Sequence, residues 1–155
     1  VVLSPNCDQR PLNKDIDLLV IHGISLPPKQ YGGEFIDKFF TNTLDTNAHP
    51  YFMEIEKLHV SAHLLIDRLG NVTQYVPFDM RAWHAGESSF NGRNCCNDYS
   101  IGIELEGCDD EIYCDAQYFV LAKITELVCQ RWQKIKKDFS ILFLLMIATY
   151  LSITF

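Results

Sequence analysis

The chain has 155 residues, of which 48% are hydrophobic and 21% charged, with a formal net charge of −7. That composition fits one globular domain with a single core and excludes a disordered chain. The acidic balance excludes a nucleic-acid binder, which needs clustered Lys and Arg to neutralise phosphates.

In chain order, Asp17 to Ile21 predicts a strand buried on both faces, because Leu18, Leu19, Val20 and Ile21 leave no polar side. His22 follows it directly. The Pro- and Gly-containing stretch from Ser25 through Gly33 excludes helix and central strand. Glu34 to Phe40 has helical spacing in Phe35, Ile36, Phe39 and Phe40. Val60 to Ile66 predicts a strand, Asp67 to Asn71 a turn, and Val72 to Val76 the hairpin partner. Ser100 to Leu105 alternates apolar residues into Glu104. Asp115 is placed to cap a helix from Ala116 to about Trp132, with Ala116, Val120, Ile124, Leu127 and Val128 as its inner stripe. Strands separated by helices and long loops predict an α/β (α+β) fold, a mixed central sheet flanked by helices in one domain.

Six cysteines are present: Cys7, Cys95, Cys96, Cys108, Cys114 and Cys129. Val1-Val2-Leu3 runs into Ser4-Pro5-Asn6 with no charged region ahead of a long apolar one, so no secretion signal is expected. Without an oxidising compartment the thiols are expected to be reduced, and no Cys-x-x-Cys pattern marks a structural zinc.

Two residues at strand ends carry the candidate chemistry. His22 reads either as a buried, hydrogen-bonded histidine or as a metal ligand. Glu104 reads either as a solvated strand-end carboxylate or as a general base whose apolar flanks raise its pKa. Glu106, two residues on, is placed to share its face. Trp83 and His84, between Arg81-Ala82 and Ala85-Gly86, read as a lip for sugar rings or as a loop anchor. His63 falls inside a strand and reads as a core or supporting histidine, while His49 and His59 sit outside any such arrangement.

Several ordered blocks then resemble a known family. They are Ser4-Pro5-Asn6 with Arg10-Pro11, Val20 through Pro28, Phe35-Ile36-Asp37, Ala48 through Phe52, Val60 through His63, Gln74 through Asp79, Arg81 through Gly86, and Cys96 through Gly107. Together they cover roughly residues 4 to 130 and are similar to the AmpD-type 1,6-anhydro-N-acetylmuramyl-L-alanine amidases. The resemblance implies a mixed sheet flanked by helices and one zinc per chain. It implies hydrolysis of the amide between N-acetylmuramic acid and L-alanine in muropeptides, during wall recycling in the bacterial cytoplasm. His22 looks like the first zinc ligand and Glu104 like the acid/base residue. Trp83, His84, Ala85, Gly86 and Asn97 look like substrate-binding residues, and a monomer is expected.

The chain departs from that pattern in places. Gly23 stands where an asparagine is common, and His59 and Cys95 stand where arginines are expected to hold peptide carboxylates. The remaining zinc ligands and a lysine normally follow the last long helix, in Gly-His-x-Asp-Ile and Lys-x-Asp-Pro-Gly. Here that position reads Gln133-Lys134-Ile135-Lys136-Lys137-Asp138 and then an apolar run, Phe139 to Phe155, without His, Cys, Asp or Glu. The amidase-like domain is therefore set at 1–133 and a divergent basic, then apolar, tail at 134–155. At 1.5 Å per residue the run reaches about 25 Å, the lower limit for a membrane segment, and Lys134, Lys136 and Lys137 would flank its cytoplasmic end. A shifted reading frame is the other account of it. Since metal affinity needs several ligands acting together, weak or absent activity is expected, with a catalytically dead muropeptide-binding domain or a non-functional frameshifted remnant as the alternatives.

Overall fold

A computed structural model describes residues 1–108 and 110–135, and the backbone of 141–143. The elements are β1 (Cys7–Gln9), β2 (Leu18–Ile24), α1 (Phe35–Phe40), α2 (Pro50–Ile55), β3 (Leu64–Ile66), β4 (Val72–Gln74), β5 (Met80–Ala82), β6 (Ser89–Phe90), β7 (Arg93–Asn94), β8 (Ser100–Glu106), α3 (Asp115–Arg131) and β9 (Ile141–Phe143). Five strands form a mixed sheet in the order β4-β3-β8-β2-β9. The β3/β8, β8/β2 and β2/β9 pairs are parallel and β3/β4 is antiparallel. Two short antiparallel ribbons, β1/β5 and β6/β7, lie outside it.

Alternation along the central strands assigns their side chains to two faces. Leu19 and Ile21 of β2, Leu64 and Ile66 of β3, and Ile101, Ile103 and Leu105 of β8 form one core cluster with Leu121, Val128 and Ile135. This is the face that α3 covers. On the other face, α1, α2 and the following loop supply Ile36, Phe39, Phe40, Phe52, Ile55 and Val60, which pack with Ile24, Leu26 and Leu65. Leu18 and Val20 meet Ala85, Cys96 and Tyr99 in a smaller cluster on that side.

The predicted sheet and helices are present, with local differences. Of the expected strand Val60 to Ile66 only Leu64–Ile66 joins the ladder, because the preceding backbone pairs with a loop: Ser61 N donates to Trp83 O at 3.0 Å. The hairpin partner stops at Gln74. Its turn is held by Asp67, whose carboxylate accepts from the Leu69 and Asn71 amides, with Gly70 at φ 84°. Asp115 is not the cap of α3. Cys114 occupies that position, and Gln117 reaches back to accept from its amide at 3.0 Å. Leu127, expected inside, is 64% exposed, and the buried stripe is Gln117, Leu121 and Val128. Gln117 is there because its amide donates to Ile66 O and Glu106 O, pinning α3 to the ends of β3 and β8.

All six cysteines are free thiols. Most of the 134–155 tail, and the membrane segment considered for it, lies outside the described residues. Within it, Ile141–Phe143 forms β9 against β2. Among the described residues no helix is long and apolar enough to cross a membrane.

Candidate active site

The parallel register of β2 and β8 sets His22 directly opposite Glu104. Both are on the face away from α3, and both are 1% exposed. The apolar runs that place the strands in the core thus carry one imidazole and one carboxylate in with them.

Glu104 borders a cavity of about 30 Å³ lined by Ile24, Leu26, Phe39, Ile55, Val60 and Ser61, large enough for a water molecule. Its Oε2 has no hydrogen-bond partner among the described residues. Burial penalises the carboxylate and pushes Glu104 up to about 8, from an ordinary value of 4.5. The group therefore holds its proton near neutrality and can exchange it there, as an acid/base residue must. Glu106 shares the face, as its spacing predicts, but its two oxygens accept from the amides of Gly32 and Arg68. It straps two loops to the strand, so Glu104 alone has the freedom to act.

His84 occupies a different place from the one its sequence context suggests. It is fully buried, not on a lip. Its Nδ1 stands 2.9 Å from His22 Nε2, and its Nε2 stands 3.0 Å from Ser100 Oγ. The ring lies over Gly102, where an added Cβ would come within 2.4 Å of it. Burial lowers the His84 pKa well below the ordinary imidazole value, and the neighbouring rings of His22 and His63 act in the same direction.

His63 is a buried supporting histidine, as expected, although it lies one residue ahead of β3 rather than inside it. Gly102 N donates to its Nδ1 at 3.0 Å, and its Nε2 faces Met80 O at 3.2 Å. Burial, then the nearby Arg10 cation, push it down to about 3. Arg10 was not singled out for any role by the sequence beyond its place in a matching block. Its guanidinium donates to the carbonyls of Asn97, Asp98, Phe78 and Ser100 and lies 3.0 Å from His63. A run of carbonyls from distant segments has no sequence signature, so only the fold exposes this clamp.

The other predicted substrate-binding residues divide. Ala85 is buried. Asn97 commits its side-chain oxygen to the His84 and Ala85 amides, at 3.1 and 2.9 Å, so it shapes the loop from within. Trp83 is half-buried, its indole N–H donating to Asp8, which also receives two bonds from Arg81. Gly86 is exposed beside Cys95 and a surface cleft. Gly23 points to the α3 face, where Tyr113 fills the side-chain position: a Cβ there would meet its hydroxyl at 2.3 Å. A side chain at 23 would therefore face away from Glu104, and its loss removes no contact on the His22 side.

A catalytic zinc does not fit the described residues. No group of three His, Cys, Asp or Glu side chains is arranged to hold a metal ion among them. His22 turns its Nε2 to His84, and Glu104 stands opposite it in register.

Comparison with known proteins places this arrangement. The N-acetylmuramoyl-L-alanine amidase profile (Amidase_2) matches residues 12–147. The 1,6-anhydro-N-acetylmuramyl-L-alanine amidase AmpD of Haemophilus influenzae is 55% identical over 137 residues, covering 88% of this chain and 74% of that protein. The Escherichia coli enzyme of the same name is also 55% identical over 137 residues, covering 88% and 75%. A crystal structure of a selenomethionine AmpD derivative superposes with a TM-score of 0.88 at 54% identity, covering 92% of this chain and 78% of that one.

Proposed function

The chain belongs to the N-acetylmuramoyl-L-alanine amidase family, and from that premise we propose that its substrates are muropeptides of peptidoglycan recycling. The bond acted on joins N-acetylmuramic acid, in its 1,6-anhydro form, to L-alanine. The observation that carries this reading is the buried carboxyl of Glu104, opposite His22 and held up to about 8.

Glu104 is the acid/base residue of this reading. In its ionised form Glu104 takes a proton from the attacking water, and the carboxyl so formed delivers that proton to the departing alanine nitrogen, whose basicity rises as the amide bond breaks. A pKa near neutrality allows both transfers at one residue. The cavity beside it holds a volume suited to one such water. Trp83, with Gly86 at the outer end of the same loop, is the contact we assign to the sugar's apolar face.

A zinc ion supplies water activation in this family. Because the described residues do not form its site, we expect little or no hydrolysis from these 155 residues. The second reading follows from the same observation: a domain that holds muropeptides through the Trp83 loop without cleaving them. We place either activity in the bacterial cytoplasm and on a monomer.

The deciding experiment incubates the chain with 1,6-anhydro-N-acetylmuramyl-tripeptide, with and without added zinc. Released peptide, bound ligand and zinc per chain are measured together. Zinc near zero, no release and binding lost in Trp83→Ala is the expected result. Zinc near one per chain with steady turnover would overturn the expectation of weak activity and leave the amidase assignment standing. Neither release nor binding would overturn the muropeptide reading.

A further inference from the structure

We propose that Asp8 is a positioning residue that holds the indole of Trp83 in the orientation in which its face meets the sugar of the ligand. The inference rests on the reading of Trp83 as the sugar contact. The two tryptophans of the chain are used differently. Trp132 packs its ring against Phe78 at 5.4 Å, and the Arg131 guanidinium stands 5.5 Å from it. Trp83 is half-buried, and among the described residues no aromatic ring or cation stacks on it.

Trp83 is anchored at its backbone and at its ring. Its amide donates to Ser61 Oγ at 3.1 Å, and its carbonyl accepts from Ser61 N at 3.0 Å. Those bonds fix the main chain and leave two side-chain torsions open. The indole N–H settles them by donating to Asp8 Oδ1 at 3.3 Å. At that length the bond orients the ring more than it stabilises the fold. Asp8 is itself held. The β1/β5 ribbon sets it opposite Arg81, whose guanidinium donates to both of its oxygens, at 2.7 and 2.6 Å. The remaining arm of Arg81 donates to Asp98 Oδ1 at 2.5 Å. A fork engaged on one carboxylate and tied to a second has little room to swing. Arg81 also holds the Asp8 carboxyl below its ordinary pKa, so the oxygen that receives the indole stays an acceptor near neutral pH.

This arrangement affects both affinity and chemistry. Fixing the ring before the ligand arrives removes the ordering cost of binding, which is worth roughly two- to tenfold in affinity. The N–H is the only donor on an indole, and here it is committed to Asp8. The ring therefore offers a ligand its face and no hydrogen bond, which suits the C–H face of a sugar and not a hydroxyl.

The test measures binding of 1,6-anhydro-N-acetylmuramyl-tripeptide to the full chain and its variants by calorimetry. Proton–nitrogen NMR of the ligand-free proteins follows the two indole N–H groups in parallel. Asp8→Ala is expected to weaken binding about two- to tenfold. It should also move the Trp83 indole resonance toward that of an indole in water and leave the Trp132 resonance in place. Asp8→Asn keeps an oxygen for the indole and should retain most of the affinity and of the shift. In a Trp83→Phe background, which has no N–H, Asp8→Ala should weaken binding no further. Unchanged affinity in Asp8→Ala, or an equal loss in the Trp83→Phe background, would overturn the proposal and leave the muropeptide reading standing. No binding by the unmodified chain would overturn both. Should Asp8→Ala not fold, the unmodified chain decides: a Trp83 indole proton exchanging with water as fast as that of free tryptophan would overturn the proposal.

Discussion

On the α3 side of the sheet, β2 and β8 present Leu19, Ile21, Ile101, Ile103 and Leu105 to a helix. On the opposite side the same two strands present His22, Ser100, Glu104 and Glu106, all buried. The first side is stabilised by area removed from water and makes no demand on direction. The second gains little from area. Each of its polar groups must find a partner or shift its pKa, and the partners come from Gly32, Arg68 and His84. One side could exchange many of its residues for others of similar volume. The other has few substitutes.

The largest effect that would sharpen this contrast is the pH dependence of Glu104. Its folded pKa, about 8, lies above the ordinary 4.5, so the folded state binds the proton more tightly. Below the unfolded value both states are protonated and no penalty exists. As pH rises from about 4.5 to 8 the unfolded chain gains by ionising, and stability is lost, on the order of 5 kcal/mol as an upper bound. Urea midpoints of zinc-free protein at pH 5 and pH 9 should show that fall, and Glu104→Gln should flatten it. A wild-type midpoint independent of pH would mean the carboxyl is solvated.

On the apolar side, Ile103→Ala should cost about 3 kcal/mol by opening a cavity under α3, with the same loss at both pH values. A loss that depended on pH would couple the two faces and break the comparison. Gly102→Ala is the next step down, about 1–3 kcal/mol, since its Cβ would meet the His84 ring at 2.4 Å. Its distinguishing readout is the histidine NMR spectrum, where His84 and His22 should shift together. Leu127→Ala should change stability by no more than about 0.5 kcal/mol, because that side chain is 64% exposed.

The legible part of the fold was the part encoded by neighbours in sequence. The run Leu18 to Ile21 and the alternation through Ser100 to Glu106 located both central strands and the residues at their ends. The Asp67 to Asn71 turn and the long helix were equally local signals. What escaped was every feature whose partner lies far along the chain. The register that sets His22 opposite Glu104 depends on two strands about eighty residues apart, and no periodicity within either one reports it. His84 looked like a loop residue because its neighbours Ala85 and Gly86 are loop-like, while its burial comes from Gly102. Leu127 looked internal because apolar residues at helical spacing were available to form that stripe. The stripe used instead includes Gln117, whose reason for being inside is two strand carbonyls.

Arg10 has a consequence for the order in which the molecule assembles during synthesis. It leaves the ribosome early, but the carbonyls that receive it belong to residues 68 to 90 positions later, ending with Ser100. Until those residues emerge, the guanidinium lacks most of its acceptors, although Ser4 and Asn6 already have theirs at Phe40 and Val60. A nascent chain that ends before Ser100 also lacks the strand that lies between β3 and β2. Arg10 is therefore made early and fixed only once β8 arrives. Its exposed interval on the ribosome lasts as long as translation takes to reach β8, at rates of about 5–20 residues per second.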